Sequence, residues 1–163
     1  MVEESDALAE ACARAALAAG VRVAVAESLT SGSIATTLGK AHEASEWFSG
    51  GVVAYDPEVK FGVLGVDRGP VVTAKAARQM AEGLLHLMPV EAVVAVTGAG
   101  GPGPEEGEPA GTVFIAHGRV GHPDAPARIA VEEHRFDGDP TDVVRQTVEA
   151  ALRALLGELE APA

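Results

Sequence analysis

Apolar residues recur along this chain in two rhythms, one every third or fourth position and one every second, and the two alternate from beginning to end. Ser5 opens an Ala- and Leu-rich stretch that stops at Gly20. Serine at a start and glycine just past an end are helix boundary signals, so a helix is predicted between them. Val21, Val23 and Val25 then alternate with Arg22, Ala24 and Ala26, which predicts a strand with one clearly apolar face. The segment from Glu27 to Gly32 reads as a tight strand-to-helix turn, and a short helix follows from about Ser31 to Leu38, stopping at Gly39. A second strand from Ser49 to Tyr55 carries the pair Gly50-Gly51. Asp56-Pro57 is a helix start, an N-cap followed by proline in the first turn. Gly65 to Pro70 is a loop. Thr73 caps a helix to about Leu87 whose apolar face is Ala77, Met80, Ala81, Leu84 and Leu87, and Pro89 closes it.

Glu91 to Val96 is an apolar run too short for a helix and reads as a buried strand. A Gly/Pro/Glu-rich loop spans Thr97 to Gly111. Thr112–His117 and Ala127–Phe136 form a strand pair joined by a Gly/Pro loop, and Asp139-Pro140 caps a last helix with Val144, Val148, Ala151 and Leu155 along one stripe. Interleaved strands and helices imply one α/β domain over residues 1–163, with helices covering a largely buried sheet. The last two strands follow each other without a helix, so the sheet is expected to be mixed. Ligands in such folds gather beyond the carboxyl ends of the strands. The turns after Ala26, Tyr55 and Val96 are therefore the places to look.

Composition narrows the function classes. At 47% apolar residues, the 163-residue chain can bury a continuous core without disulfides or metals. The single cysteine, Cys12, lies in the first helical pattern beside Leu8 and reads as a small buried hydrophobe, in keeping with a reducing compartment. No apolar run approaches the roughly 20 residues that span a bilayer. The first residues are acidic, unlike a signal peptide, so the expected location is cytoplasmic. A net charge of -12 without a basic run argues against nucleic acid as a partner. The five histidines show no metal-ligand spacing, so no metal is expected.

Ser28 follows a buried strand and precedes a Gly-containing helix start, where free backbone N–H groups can hold a phosphate or an oxyanion. Alone it reads equally as a helix cap, and its surroundings are neither a Walker A loop nor a Gly-x-Ser-x-Gly elbow. The chain has only three lysines, Lys40, Lys60 and Lys75. Lys60 falls at the fourth position of the helix that Asp56 caps, where the helix dipole favours its neutral amine. A neutral amine can accept a serine proton, although an exposed solubilising lysine fits the position as well. Tyr55, the only tyrosine, lies just before the turn that leads to Lys60, and sheet packing would also explain it. The loop Thr97-Gly98-Ala99-Gly100-Gly101-Pro102 permits close backbone approach to a ligand. Glu105, Glu106 and Glu108 would repel a phosphate and are expected to face solvent.

The order of these segments is more specific than any one of them. Ala26-Glu27-Ser28-Leu29-Thr30-Ser31-Gly32, then Phe48-Ser49-Gly50-Gly51-Val52-Val53-Ala54-Tyr55 with Lys60 behind it, then Val96-Thr97-Gly98-Ala99-Gly100-Gly101-Pro102 and Pro109-Ala110-Gly111-Thr112-Val113, closely resemble the CinA C-terminal family over roughly residues 5 to 157. The resemblance implies a three-layer α/β/α sandwich with a mixed, largely parallel sheet. It implies nicotinamide-nucleotide amidase activity: nicotinamide mononucleotide plus water gives nicotinic acid mononucleotide and ammonia, without a cofactor. By motif, Ser28 resembles the nucleophile and Lys60 its general base, with Tyr55 positioning substrate or relaying a proton. Thr30, Ser31 and Gly32 would supply oxyanion donors. Gly50, Gly51, Thr97, Gly98 and Gly100 would contact substrate, and Arg145 is a candidate phosphate ligand. The implied partners are a small nucleotide and a second copy of the chain, as a homodimer, in which Trp47 and Phe48 are either core or an exposed anchor.

The chain departs from the family pattern at several positions. Ser31 stands where the family has the first glycine of a pair and disfavours positive φ. Ala99 replaces a common isoleucine. Pro140 and Val144 stand where basic residues are frequent. Two further functions follow from these departures: a nucleotide-binding regulator without turnover, linked to competence, and an amidase for another pyridine or nucleotide carboxamide. The resemblance is to the stand-alone form of the family, so the molybdopterin-binding-like domain that many members carry is not expected.

Overall fold

A computed structural model describes residues 3–121 and 124–162. His122 and Pro123, within the Gly/Pro loop expected between the last two strands, and Met1 and Val2 of the acidic start lie outside the described residues. Helix α1 (Glu4–Ala19) begins one residue before Ser5, after an N-cap Glu3 whose side chain makes no capping bond. It ends at Gly20, whose left-handed φ of 68° lets its N–H reach back to Ala16 and Leu17.

Strand β1 (Val23–Glu27) follows. It is buried on both faces, not on one, because it is an inner strand of the sheet. Val23 and Val25 face one hydrophobic cluster with Ile34, Leu38 and Trp47, while Ala24 and Ala26 face a second with Met80 and Leu84. Helix α2 (Ser33–Gly39) starts two residues later than expected, with Gly32 as its N-cap. The short helix α3 (Ala44–Trp47) leads into edge strand β2 (Phe48–Val53). Trp47 is fully buried and donates its Nε1–H to His42 O at 3.0 Å, so it is core and not an interface anchor.

Helix α4 (Pro57–Gly62) is capped by Asp56, and α5 (Ala74–Leu87) by the Thr73 hydroxyl. Ala76, Ala77, Met80, Ala81 and Leu84 bury the inner face of α5, whereas Leu87, its last residue, is half exposed. Strands β3 (Ala92–Gly98), β4 (Thr112–Arg119) and β5 (Arg128–Arg135) complete one sheet. Helix α6 (Pro140–Glu160) closes the fold with a capping box between Asp139 and Asp142. On α6, Val148, Ala151 and Leu155 of the predicted stripe are buried, whereas Val144 turns partly out of the core and Val143 is buried in its place.

The strand order is β2-β1-β3-β4-β5. β1 runs parallel to both β2 and β3, with Val25 opposite Gly51 and Val94. β4 and β5 join antiparallel, as the missing helix between them implied. The sheet is therefore only partly parallel, not largely so. The reason is chain economy: an antiparallel neighbour can be reached by a loop, whereas each parallel step needs a helical crossover. α1, α2, α3 and α6 pack into the first cluster, and α5 covers the other face. The carboxyl ends of β1, β2 and β3 consequently emerge together at one end of the sheet.

Candidate active site

Beyond those three carboxyl ends lies a cleft of about 410 Å³, within the range of small-molecule sites. Ser28, from the turn after β1, lines it together with Tyr55 and Lys60 from the segment after β2, and Thr97, Gly98 and Gly100 from the end of β3. Val71, Val72, Pro104, Glu105, Pro140 and Val144 also line it.

Lys60 is almost wholly buried, at 1% exposure. Its Nζ donates to the carbonyls of Ala54 at 2.7 Å and Tyr55 at 3.3 Å. Burial pushes its pKa below the ordinary lysine value, against the pull of the Glu105, Asp56 and Glu106 carboxylates, which favour the ammonium. Desolvation, rather than the helix dipole invoked from the sequence, is thus the main cause. A neutral Lys60 amine spends both of its hydrogens on those two carbonyls and keeps its lone pair for another donor.

Ser28 is mostly buried, and among the described residues no hydrogen bond joins its hydroxyl to Lys60. It is not a helix cap, because α2 starts at Ser33. The cap of α2 comes instead from Glu27, which is fully buried. Its two carboxylate oxygens accept the N–H groups of Ile34 and Ala35, each at 2.9 Å. Alternation explains the reach: Glu27 shares the face of Val23 and Val25, against which α2 packs. Sequence reading passed over this residue. An acidic side chain ending an otherwise apolar inner strand was the signal.

In the turn, the Ser31 N–H is taken by Ser28 O at 3.1 Å, and Ser33 N–H by Thr30 O at 2.9 Å. Among the described residues, the N–H groups of Leu29 and Thr30 have no backbone acceptor. The buried Thr30 hydroxyl is also without a partner. Ser31 adopts φ 52° and Gly32 φ 102°. Neither they nor Thr30 belong to the cleft lining.

Tyr55 is 67% exposed at the rim, so it does not pack in the sheet. The Thr97 hydroxyl donates to Val71 O at 2.8 Å and ties two cleft walls together. Gly50 and Gly51 sit in edge strand β2, outside the lining. Gly51 serves packing, since a Cβ there would lie 2.4 Å from Val25 O. Arg145 is also outside the lining and ion-pairs with Glu149 at 3.5 Å.

Glu105 and Glu106 are exposed, as expected, while Glu108 is half-buried and pairs with Arg135 at 3.6 Å; the first two are engaged as well. Glu105 lines the cleft. Glu106 accepts the N–H groups of Val71 and Val72 at 2.9 Å. Cys12 plays no part here: burial, with the Glu160 charge adding to it, pushes its thiol up to about 12. No group of metal-ligating side chains occurs among the described residues, and no helix among them is long and apolar enough to cross a membrane.

A buried lysine and a serine thus line one cleft at the strand carboxyl ends of an α/β protein. The chain belongs to the CinA C-terminal domain family, whose model matches residues 5–159. A nicotinamide-nucleotide amidohydrolase PncC from Pseudomonas putida is 37% identical over 146 residues, covering 83% of this chain and 84% of that protein. A CinA-like protein of Mycolicibacterium paratuberculosis is 37% identical over 147 residues, covering 86% of this chain. The chain spans only 34% of that relative's length. Among solved structures, the competence/damage inducible protein CihA from Agrobacterium tumefaciens superposes with a TM-score of 0.87 at 29% identity, covering 99% of this chain and 98% of that one. A CinA superfamily protein from Klebsiella pneumoniae gives the same TM-score at 33% identity, covering 95% and 97%.

Proposed function

We propose that this protein hydrolyses the carboxamide of a nicotinamide nucleotide, with nicotinamide mononucleotide as the reference substrate, through an acyl-enzyme on Ser28. The observation that carries this reading is the buried, pKa-lowered Lys60 on the same cleft as Ser28. Membership of the family that includes the Pseudomonas amidohydrolase supports the choice of an amide.

In the first half-reaction the Ser28 hydroxyl gives its proton to Lys60 Nζ as its oxygen bonds to the carboxamide carbon. Apo contacts of this kind commonly tighten once substrate enters. The N–H of Leu29, which lines the cleft and has no backbone acceptor, is the available donor to the resulting oxyanion. The proton on Lys60 passes to the amide nitrogen, the C–N bond breaks and ammonia leaves. Water then gives a proton to Lys60 and attacks the ester, and that proton returns to Ser28 as the carboxylate is released. Tyr55, exposed where it lines the cleft, would orient the substrate ring or ribose.

The test is ammonia release from nicotinamide mononucleotide by the purified protein, with nicotinic acid mononucleotide formed in equal amount. Binding measured by calorimetry without product would replace this reading with a non-catalytic nucleotide-binding role.

A further inference from the structure

Thr97, near the end of β3, lines the cleft and is itself buried. Its hydroxyl is bonded to Val71 O at 2.8 Å, and because a carbonyl only accepts, the hydroxyl must donate. A hydroxyl has one hydrogen. Any further bond that Thr97 Oγ1 makes, to a ligand included, is therefore one that it accepts. Val71 is held from its other side. Its N–H donates to both carboxylate oxygens of Glu106 at 2.9 Å, and the Val72 N–H donates to one of them at 2.9 Å. These charge-assisted bonds clamp the segment that presents its carbonyl to Thr97.

Other polar groups of the lining have the same sense. A neutral Lys60 has spent its hydrogens on Ala54 O and Tyr55 O and offers a lone pair. Glu105 is a carboxylate and accepts only. Among the described residues this leaves Ser28 and Tyr55 as the side-chain donors of the lining. A carboxamide nitrogen brings two hydrogens to such a set, whereas a carboxylate brings none.

We infer that Thr97, locked as an acceptor by Val71 and Glu106, distinguishes the carboxamide of the substrate from the carboxylate of the product. It takes a hydrogen of the amide nitrogen and has none to give the acid. This rests on the amidase reading and adds to it how the site recognises its substrate and lets go of its product. Thr97 is the specificity-determining residue, and Glu106, outside the lining, is a positioning residue.

The experiment is calorimetry on Ser28→Ala, used to prevent turnover, with nicotinamide mononucleotide and nicotinic acid mononucleotide as ligands. It is run at alkaline pH, because the Lys60 ammonium has a third hydrogen that a carboxylate could accept. The acid is expected to bind about tenfold or more weakly than the amide. Thr97→Val, which keeps the shape and removes the acceptor, is expected to cut that ratio by about fivefold or more, and Thr97→Ser to preserve it. Glu106→Ala is expected to lower it as well, an effect that a purely structural role would not have on a ratio of two ligands. Equal affinity for the two compounds, no binding of either, or an unchanged ratio in a folded Thr97→Val protein would overturn the inference. If Thr97→Val does not fold, Glu106→Ala decides, and an unchanged ratio there overturns it. The amidase reading stands or falls separately, on ammonia release by the wild type.

Discussion

Ser31 is a serine held at φ 52°, where a Cβ crowds the following carbonyl. Its side chain is exposed and makes no hydrogen bond among the described residues, so nothing offsets that cost. Ser31→Gly is expected to stabilise the protein by about 1 kcal/mol, which for a chain of this size raises Tm by about 2–4 °C. A thermal melt at or below wild type would contradict this. Lys60 invites a second test. Its pKa in the folded protein is lowered by burial, so between the folded and unfolded values the unfolded chain binds the extra proton, and stability rises with pH across that window. The same titration governs activity, and kcat/KM is expected to climb as the ammonium loses its proton. Glu105 holds the proton on, so Glu105→Gln is expected to shift the rising limb to lower pH. A limb that stays in place or moves up would show that the titrating base is not Lys60.

Two connections hold the elements around the cleft. Gly51 in β2 faces Val25 of β1, and a Cβ at Gly51 would meet Val25 O at 2.4 Å. Gly51→Ala is expected to cost about 1–3 kcal/mol by forcing the edge strand away, measurable by urea denaturation. The Glu27 carboxylate ties β1 to α2, and Glu27→Ala is expected to cost about 1–3 kcal/mol or more because two N–H groups lose their acceptor. An unchanged urea midpoint in either variant would refute the corresponding role. Helix starts at Asp56, Thr73 and Asp139 were legible in the sequence because a cap acts within three residues of itself. Glu106 was not. It acts on Val71 and Val72 across a separation of 35 and 34 residues, which no local pattern encodes. The same holds for Gly50 and Gly51, where a glycine pair reads alike whether it meets a ligand or a neighbouring strand.

The alternation of helix and strand carried the layer order, and the lack of a helix between β4 and β5 carried their antiparallel pairing. It did not reveal that β1 is an inner strand, since its valine–alanine alternation looks half-buried until both faces are covered. Ser28 and Tyr55 were legible because each follows a strand end, and Lys60 because it lies in the helix just beyond Tyr55; parallel strands bring those ends to one side. The net charge of -12 and the carboxylates around the cleft act together, so ionic strength should move KM for charged substrates in opposite directions according to their sign. All of this depends on one hydroxyl and one uncharged amine sharing the work of breaking an amide. The decisive measurement is the rate of ammonia release from nicotinamide mononucleotide by the wild type, Ser28→Ala and Lys60→Met, each shown to be folded by its melt. Both variants are expected to lose about 10³-fold or more. Wild-type turnover by either variant would contradict the pairing.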